Sequence, residues 1–218
     1  LKKIEEFVIL LYLYIKTEDF MKEDVKNLLL SLHEMANSAE NCLSLLQTAF
    51  IYNASTPLKD CFTNVENIKK SEVQLTKKIA ELTKENPELK PYVSTPVHLR
   101  RIAECIEKLA ELIDKKIKDS ILFSDKAVAE ITFLLQRLID IMRPTADIIL
   151  AKNIILKRYV EESESGVVKR ANEYATLHEE RLIEGLCLPI SSSLYISMLD
   201  SIKDIAWHAK EIATKIVG

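Results

Sequence analysis

Apolar residues recur every three to four positions along almost the whole chain, the spacing that lines one face of an α-helix. A first stripe, Leu28, Leu32, Met35, Ala39, Leu43, Leu46 and Phe50, predicts a helix from about Asp19 to Asn53. It stops in Asn53-Ala54-Ser55-Thr56-Pro57, where Thr56 can cap and Pro57 suits the first turn of the next helix, whose amides need no intrahelical partner. Val65, Ile68, Val73, Leu75, Ile79 and Leu82 mark that second helix, which runs up to Asn86 and Pro87. Glu88 to Val93 reads as a short polar link. Ser94-Thr95-Pro96 then repeats the cap-and-proline signal before a third helix carrying Ile102, Ile106, Leu109, Ile113 and Ile117.

The pattern starts again at Ser124-Asp125, which opens a fourth helix carrying Val128, Ile131, Leu135, Leu138, Ile139 and Met142. Pro144 lies inside this run and is expected to kink or split it, because proline cannot donate to the preceding turn. Further apolar residues reach Tyr159. A fifth helix is expected from roughly Glu161 to Glu184 despite Gly166, ending at Gly185 with Pro189 beyond. Ser191 to Ser193 open a sixth, whose stripe includes Leu194, Met198, Ile202, Ile205, Ala209, Ile212 and Ile216. A shift of 103 residues lays Ile102-Ala103, Leu109-Ala110 and Ile113 on Ile205-Ala206, Ile212-Ala213 and Ile216. The expected fold is therefore all-α, six long helices in two tandem three-helix bundles. Residues 1–18 form an N-terminal segment, 19–120 the first repeat and 121–218 the second.

Composition agrees with this reading. Three glycines in 218 residues are too few for an extensive β-fold with tight turns, and 48% hydrophobic residues supply a core. Thirty basic and 33 acidic residues leave a net charge of −3 with the signs interspersed, so there is no electrostatic case for nucleic acid. Cys42, Cys61, Cys105 and Cys187 form no CxxC pair and each lies in an apolar helical context, which suits reduced thiols in a cytosolic setting. The strongest apolar run, Phe7 to Ile15, is far short of the roughly 20 residues a membrane-spanning helix needs. It reads as a buried segment or a contact, with an interfacial role as the lesser alternative. The chain begins at Leu1 rather than methionine, so more polypeptide is expected upstream.

Two segments carry a family resemblance. HLRRIAECIEKLAELI, His98 to Ile113, resembles the third-helix signature of PhoU-like proteins through Leu99, Arg101, Ile102, Glu104 in place of an aspartate, and Leu109-Ala110. HEERLIEG followed by SSSLYISMLDSIKDIAWHAKEIA is similar to the cytosolic C-terminal PhoU-like domain of bacterial sodium/phosphate cotransporters. His178, Arg181, Leu182, Gly185, Ser191, Ser192, Lys203, Ile205, His208, Ile212 and Ala213 fall on that pattern. The resemblance spans about Asp19 to Val217. It implies a non-enzymatic domain that controls phosphate uptake through protein contacts, on the cytoplasmic side and tethered to the inner membrane by an upstream transmembrane domain. Its partner would be the membrane part of the same transporter or another transport or signalling protein, with a homodimer as a further option. A free-standing PhoU-type regulator and a metal-binding helical bundle are the alternatives.

PhoU proteins carry carboxylates one helical turn apart that converge on metal clusters. At the equivalent positions this chain has Arg100 and Glu104, then Lys203 and Trp207, and Lys69-Lys70 replaces acids on the second helix. Metal binding is accordingly not carried over, and no cofactor is expected. The residual metal candidates are Asp200, Asp204 and His208, spaced four apart on one stripe, a spacing more common on a solvated face. His178-Glu179 resembles the start of HExxH, but Leu182 stands where the second histidine belongs. His33 reads as a surface residue or a bond to a neighbouring helix. The triple serine reads as a cap before an anion site, Tyr195 and Trp207 as core or interface aromatics. No GxSxG or phosphate loop is present.

Overall fold

A computed structural model describes residues 23–218, so residues 1–18, the apolar run Phe7 to Ile15 and the expected helix start at Asp19 lie outside the described residues. The long elements are α1 (Glu23–Tyr52), α2 (Thr56–Leu82), α3 (Thr95–Lys118), α4 (Asp125–Ala151), α5 (Ile154–Ile183) and α6 (Pro189–Val217), with a 3₁₀ turn at Pro87–Tyr92. Each of the two sets is a three-helix bundle. α1 packs on α2 and α3, α4 packs on α5 and α6, and the two sets meet along α1 against α4 and α3 against α6. The paired stripes identified by the 103-residue shift are buried without exception, and they lie on the two helices that face each other at that seam. One continuous core runs through all six helices. α2 and α5 stand on the outside, each packed mainly on its own set.

Several boundaries differ from the pattern-based reading, for local reasons. Thr56 is the first helical residue rather than the cap, and the Ser55 hydroxyl at the N-cap position bonds Asp114 of α3 at 3.3 Å instead of a free amide. Val73 is 48% exposed and belongs to the outer face of α2. The polar link is the 3₁₀ turn, which buries Leu89 and Tyr92 and lets the Tyr92 hydroxyl donate to the Ile149 carbonyl at 3.1 Å. Ser124 caps as expected, accepting from the Ala127 amide at 3.3 Å. Pro144 does not split α4, which continues to Ala151.

The break between α4 and α5 falls well before Tyr159. Lys152 adopts the left-handed conformation with φ 46°, and the Asn153 side chain accepts from the Ile155 and Leu156 amides. At the far end of α5, Gly185 has φ 75°. The Gly185 amide donates to the Leu182 carbonyl and the Leu186 amide to the Arg181 carbonyl, the paired closure that needs a residue free to go left-handed. α6 starts at Pro189, so Ser191 to Ser193 are not its caps. Ser191 and Ser193 turn back to the Leu188 and Ile190 carbonyls, which leaves Ser192 for another helix.

Candidate functional site

His178, Arg181 and Ser192, three positions of the family-like pattern, converge at the end of the second bundle where α4 begins, α5 ends and α6 begins. Arg181 holds Glu130 of α4 in a two-pronged ion pair, with Nη1–Oε1 at 3.0 Å and Nη2–Oε2 at 2.8 Å. The Tyr195 hydroxyl of α6 donates to the same Glu130 Oε2 at 2.5 Å. His178 stacks on the Tyr195 ring with centroids 4.4 Å apart, and its Nε2 lies 2.8 Å from the Ser192 hydroxyl. Glu130, His178, Ser192 and Tyr195 are all buried. Burial, then the Arg181 charge, holds His178 below the usual histidine range. Burial and the bond to Glu130 push the Tyr195 phenol up, so it stays a donor. Three helices are thus tied together by one largely buried set of ion-pair and hydrogen bonds.

The His178–Ser192 pair has the contact distance of a base and a nucleophile. A working dyad also needs a group that orients the histidine through its other nitrogen. Here, among the described residues, His178 Nδ1 has no partner, and both Glu130 oxygens are committed to Arg181 and Tyr195. Ser192 is itself buried. The arrangement positions helices and does not assemble an acyl-transfer site.

His208 has a different partner. Its Nδ1 lies 3.0 Å from Nδ1 of His98 on α3, across the seam between the two bundles, and Lys215 Nζ lies 2.9 Å from His98 Nε2. An ammonium can only donate, so His98 Nε2 accepts, His98 Nδ1 carries the proton, and His208 Nδ1 accepts it. Trp207 packs against both rings. Burial, then Lys215, then His208, lower the His98 pKa from 6.5 to about 4. Burial also lowers that of His208, against an opposing pull from Asp204.

The remaining motif positions lie on ion-pair ladders. Between α2 and α3, Lys69 grips Glu107 at 2.7 Å, and Arg100 bridges Glu72 at 3.3 Å and Glu104 at 3.0 Å. Arg101, more than half exposed, also reaches Glu104, while Ile102 is fully buried in the core. Between α5 and α6, Lys210 pairs with the buried Glu164 at 2.9 Å, and Lys203 reaches Asn172 at 3.4 Å and Asp200 at 3.0 Å. The 103-residue shift places Glu107 on Lys210 and Arg100 on Lys203, so basic side chains stand opposite carboxylates in both grooves. The candidate trio Asp200, Asp204 and His208 is not assembled: both aspartates are exposed, Asp200 faces Lys203, and His208 is turned to His98. Among the described residues no three His, Cys, Asp or Glu side chains are grouped to hold a metal. His33 lies 3.9 Å from Asp147 of α4, the neighbouring-helix alternative.

Glu130, Tyr195 and His98 complete these clusters. The first of them left a readable sign: a carboxylate one position before Ile131, on a stripe otherwise apolar, calls for a buried partner.

Among the described residues, no helix is long and apolar enough to cross a membrane. No protein-family model and no curated protein matches the chain. Among solved structures it is similar to PhoU from Pseudomonas aeruginosa, with a TM-score of 0.80 at 15% identity over 89% of this chain and 95% of that one. At that level of identity the shared property is architecture, and the chain has a PhoU-like fold.

Proposed function

We propose that this chain is a regulatory module of phosphate uptake that works through protein contacts, and more specifically the cytosolic PhoU-like domain of a sodium/phosphate cotransporter. The observation that carries the reading is the convergence of His178, Arg181 and Ser192. These residues fall on the cotransporter-like pattern and meet in one buried network on a PhoU-like fold. A buried ion pair that joins three helix ends, with the Glu130 oxygens taken up by Arg181 and Tyr195, suits a rigid scaffold better than a catalyst. The Lys and Arg residues in the two grooves neutralise the carboxylates there internally, which favours contact over metal-dependent action.

Two measurements test this. Deleting the coding region for 23–218 in the source organism is expected to change the rate of radiolabelled phosphate uptake or its response to external phosphate. Unchanged uptake at every phosphate concentration would reject the regulatory reading. The coding sequence upstream of Leu1 is expected to encode several hydrophobic spans of about 20 residues each. An initiating methionine a few codons before Leu1 would replace the cotransporter reading with the free-standing regulator.

A further inference from the structure

The bundle end that holds the Glu130–Arg181–Tyr195 network also exposes apolar residues on two adjoining loops. Leu122 precedes α4, and Ile183, Leu186, Leu188 and Ile190 run from the end of α5 into α6; each is more than half exposed. Single exposed apolar residues are ordinary, but five on neighbouring segments make a patch. Beside the start of α4 lies a groove of about 550 Å³ where Ile51 at the end of α1 faces Val128 and Phe133. The surface stands on firm ground: the left-handed closure at Gly185 fixes the loop, and the ion pair beneath fixes the three helix ends.

Charge selects among occupants. Glu179, Glu180 and Glu184 are exposed on the last turns of α5 leading into the patch, where the one basic residue, Arg181, is already paired with Glu130. Beside Leu122 the exposed Asp119 and Asp125 stand with Lys118 and Lys126, so the acid excess lies on the α5 side. A second copy docking by the same face would set acids against acids. An anionic bilayer would be repelled. Measured from Glu23, Ile15 can extend about 28 Å and Phe7 about 56 Å, while α1 carries the chain about 45 Å from Glu23 to this end. The chain's own apolar run could therefore bring only its first few residues to the patch, and only when fully stretched.

We propose that this acid-rimmed apolar patch docks a partner-protein segment that is apolar and flanked by Lys or Arg, such as one face of a basic amphipathic helix. The proposal rests on the reading that the chain acts by protein contact.

The test is fluorescence anisotropy of the whole chain with a labelled Leu/Lys amphipathic peptide of about 18 residues, five helical turns. A Leu/Glu peptide of the same pattern serves as comparison. The wild-type chain is expected to bind the Leu/Lys peptide. The I183S/L186S variant should weaken that binding by roughly tenfold or more, E180K/E184K should weaken it too, and V73S on α2 should not. Circular dichroism establishes that each variant is folded. Equal binding by I183S/L186S, or equal binding of the Leu/Glu peptide, overturns the proposal. So does sedimentation with phosphatidylglycerol vesicles, or a dimer in light scattering, that I183S/L186S abolishes, since either would give the patch to a membrane or a second copy. Loss of uptake control with failed peptide binding would sink this surface alone. Peptide binding with unchanged uptake would instead sink the phosphate reading.

Discussion

α2 and α5 occupy corresponding places as the outer helix of each bundle, and they are attached by different chemistry. α2 buries Leu58, Cys61, Val65, Ile68, Leu75 and Ile79, with Glu72 as its one buried charge. α5 is longer yet buries only Val160, Val167 and Ala171 as apolar residues, together with Glu164 and His178. At about 2 kcal/mol for each large apolar side chain removed from water, α5 gives up several kcal/mol of non-directional attachment. Polar contacts take its place: Lys210 to Glu164, Arg181 to Glu130, His178 to Ser192 and Thr214 to Glu161. Apolar attachment degrades gradually when one residue changes. A buried polar clamp holds only while every member is present, because a stranded partner costs more than the bond contributed.

The sharpest test removes one member from each bundle. Glu130→Ala strands a buried guanidinium and leaves the Tyr195 hydroxyl without its acceptor, and it is expected to cost about 3–5 kcal/mol. Glu107→Ala breaks the Lys69 bridge in the α2–α3 groove, where both partners are partly solvated, and is expected to cost less than about 1 kcal/mol. Urea unfolding of the two variants measures both. Equal losses would mean that the two outer helices are attached alike, and the comparison would fail.

The helix stripes were open to inspection because burial on a helix repeats every few residues, and six stripes with proline and serine between them suffice for an all-α bundle. The α4–α5 break was not, since apolar residues run straight across it. Ile154 and Ile155 continue the pattern but are exposed, and the turn rests on a left-handed Lys152, a conformation no side-chain pattern announces. The triple serine misled because Pro189 sets the start of α6 two residues earlier. At the site, His178, Arg181 and His208 stood out by motif. Their partners Glu130 and His98 lie 51 and 110 residues away, and only packing brings them together.

Acid sharpens the comparison further. The His178 clamp joins α5 to α6 and the His98–His208 pair joins α3 to α6, so both involve α6, whereas the α2–α3 groove is held by Lys, Arg and Glu without a histidine. His98 binds a proton less readily folded, at about 4, than unfolded, at 6.5. The unfolded chain therefore takes up more protons below 6.5, so stability is complete above that value and falls as the pH drops towards 4. The expected loss from His98 at the lower limit is roughly 3 kcal/mol, and His178 and His208 act in the same direction. Unfolding free energy measured at intervals from pH 7.5 to 4 checks this, with His98→Gln as the control. A variant whose pH slope equals that of the wild type would remove the seam from the account.

The smallest expected effect probes α5 alone. Gly166 lies in the middle of this weakly apolar helix on an exposed face, and a Cβ built there meets nothing within 4 Å. Glycine at such a place costs helix stability through backbone entropy, so Gly166→Ala is expected to stabilise by about 0.5–1 kcal/mol. Where that gain shows is the informative part. If α5 opens on its own more readily than α2, for want of apolar attachment, its amides exchange faster in the wild type, and the substitution slows them selectively. Native-state hydrogen exchange resolves the two helices. Slower exchange confined to α5 supports polar attachment as the weaker mode. A uniform slowing of α2 and α5 would mean that the outer helices unfold only with the whole bundle, and that the polar clamp holds α5 as firmly as apolar packing holds α2.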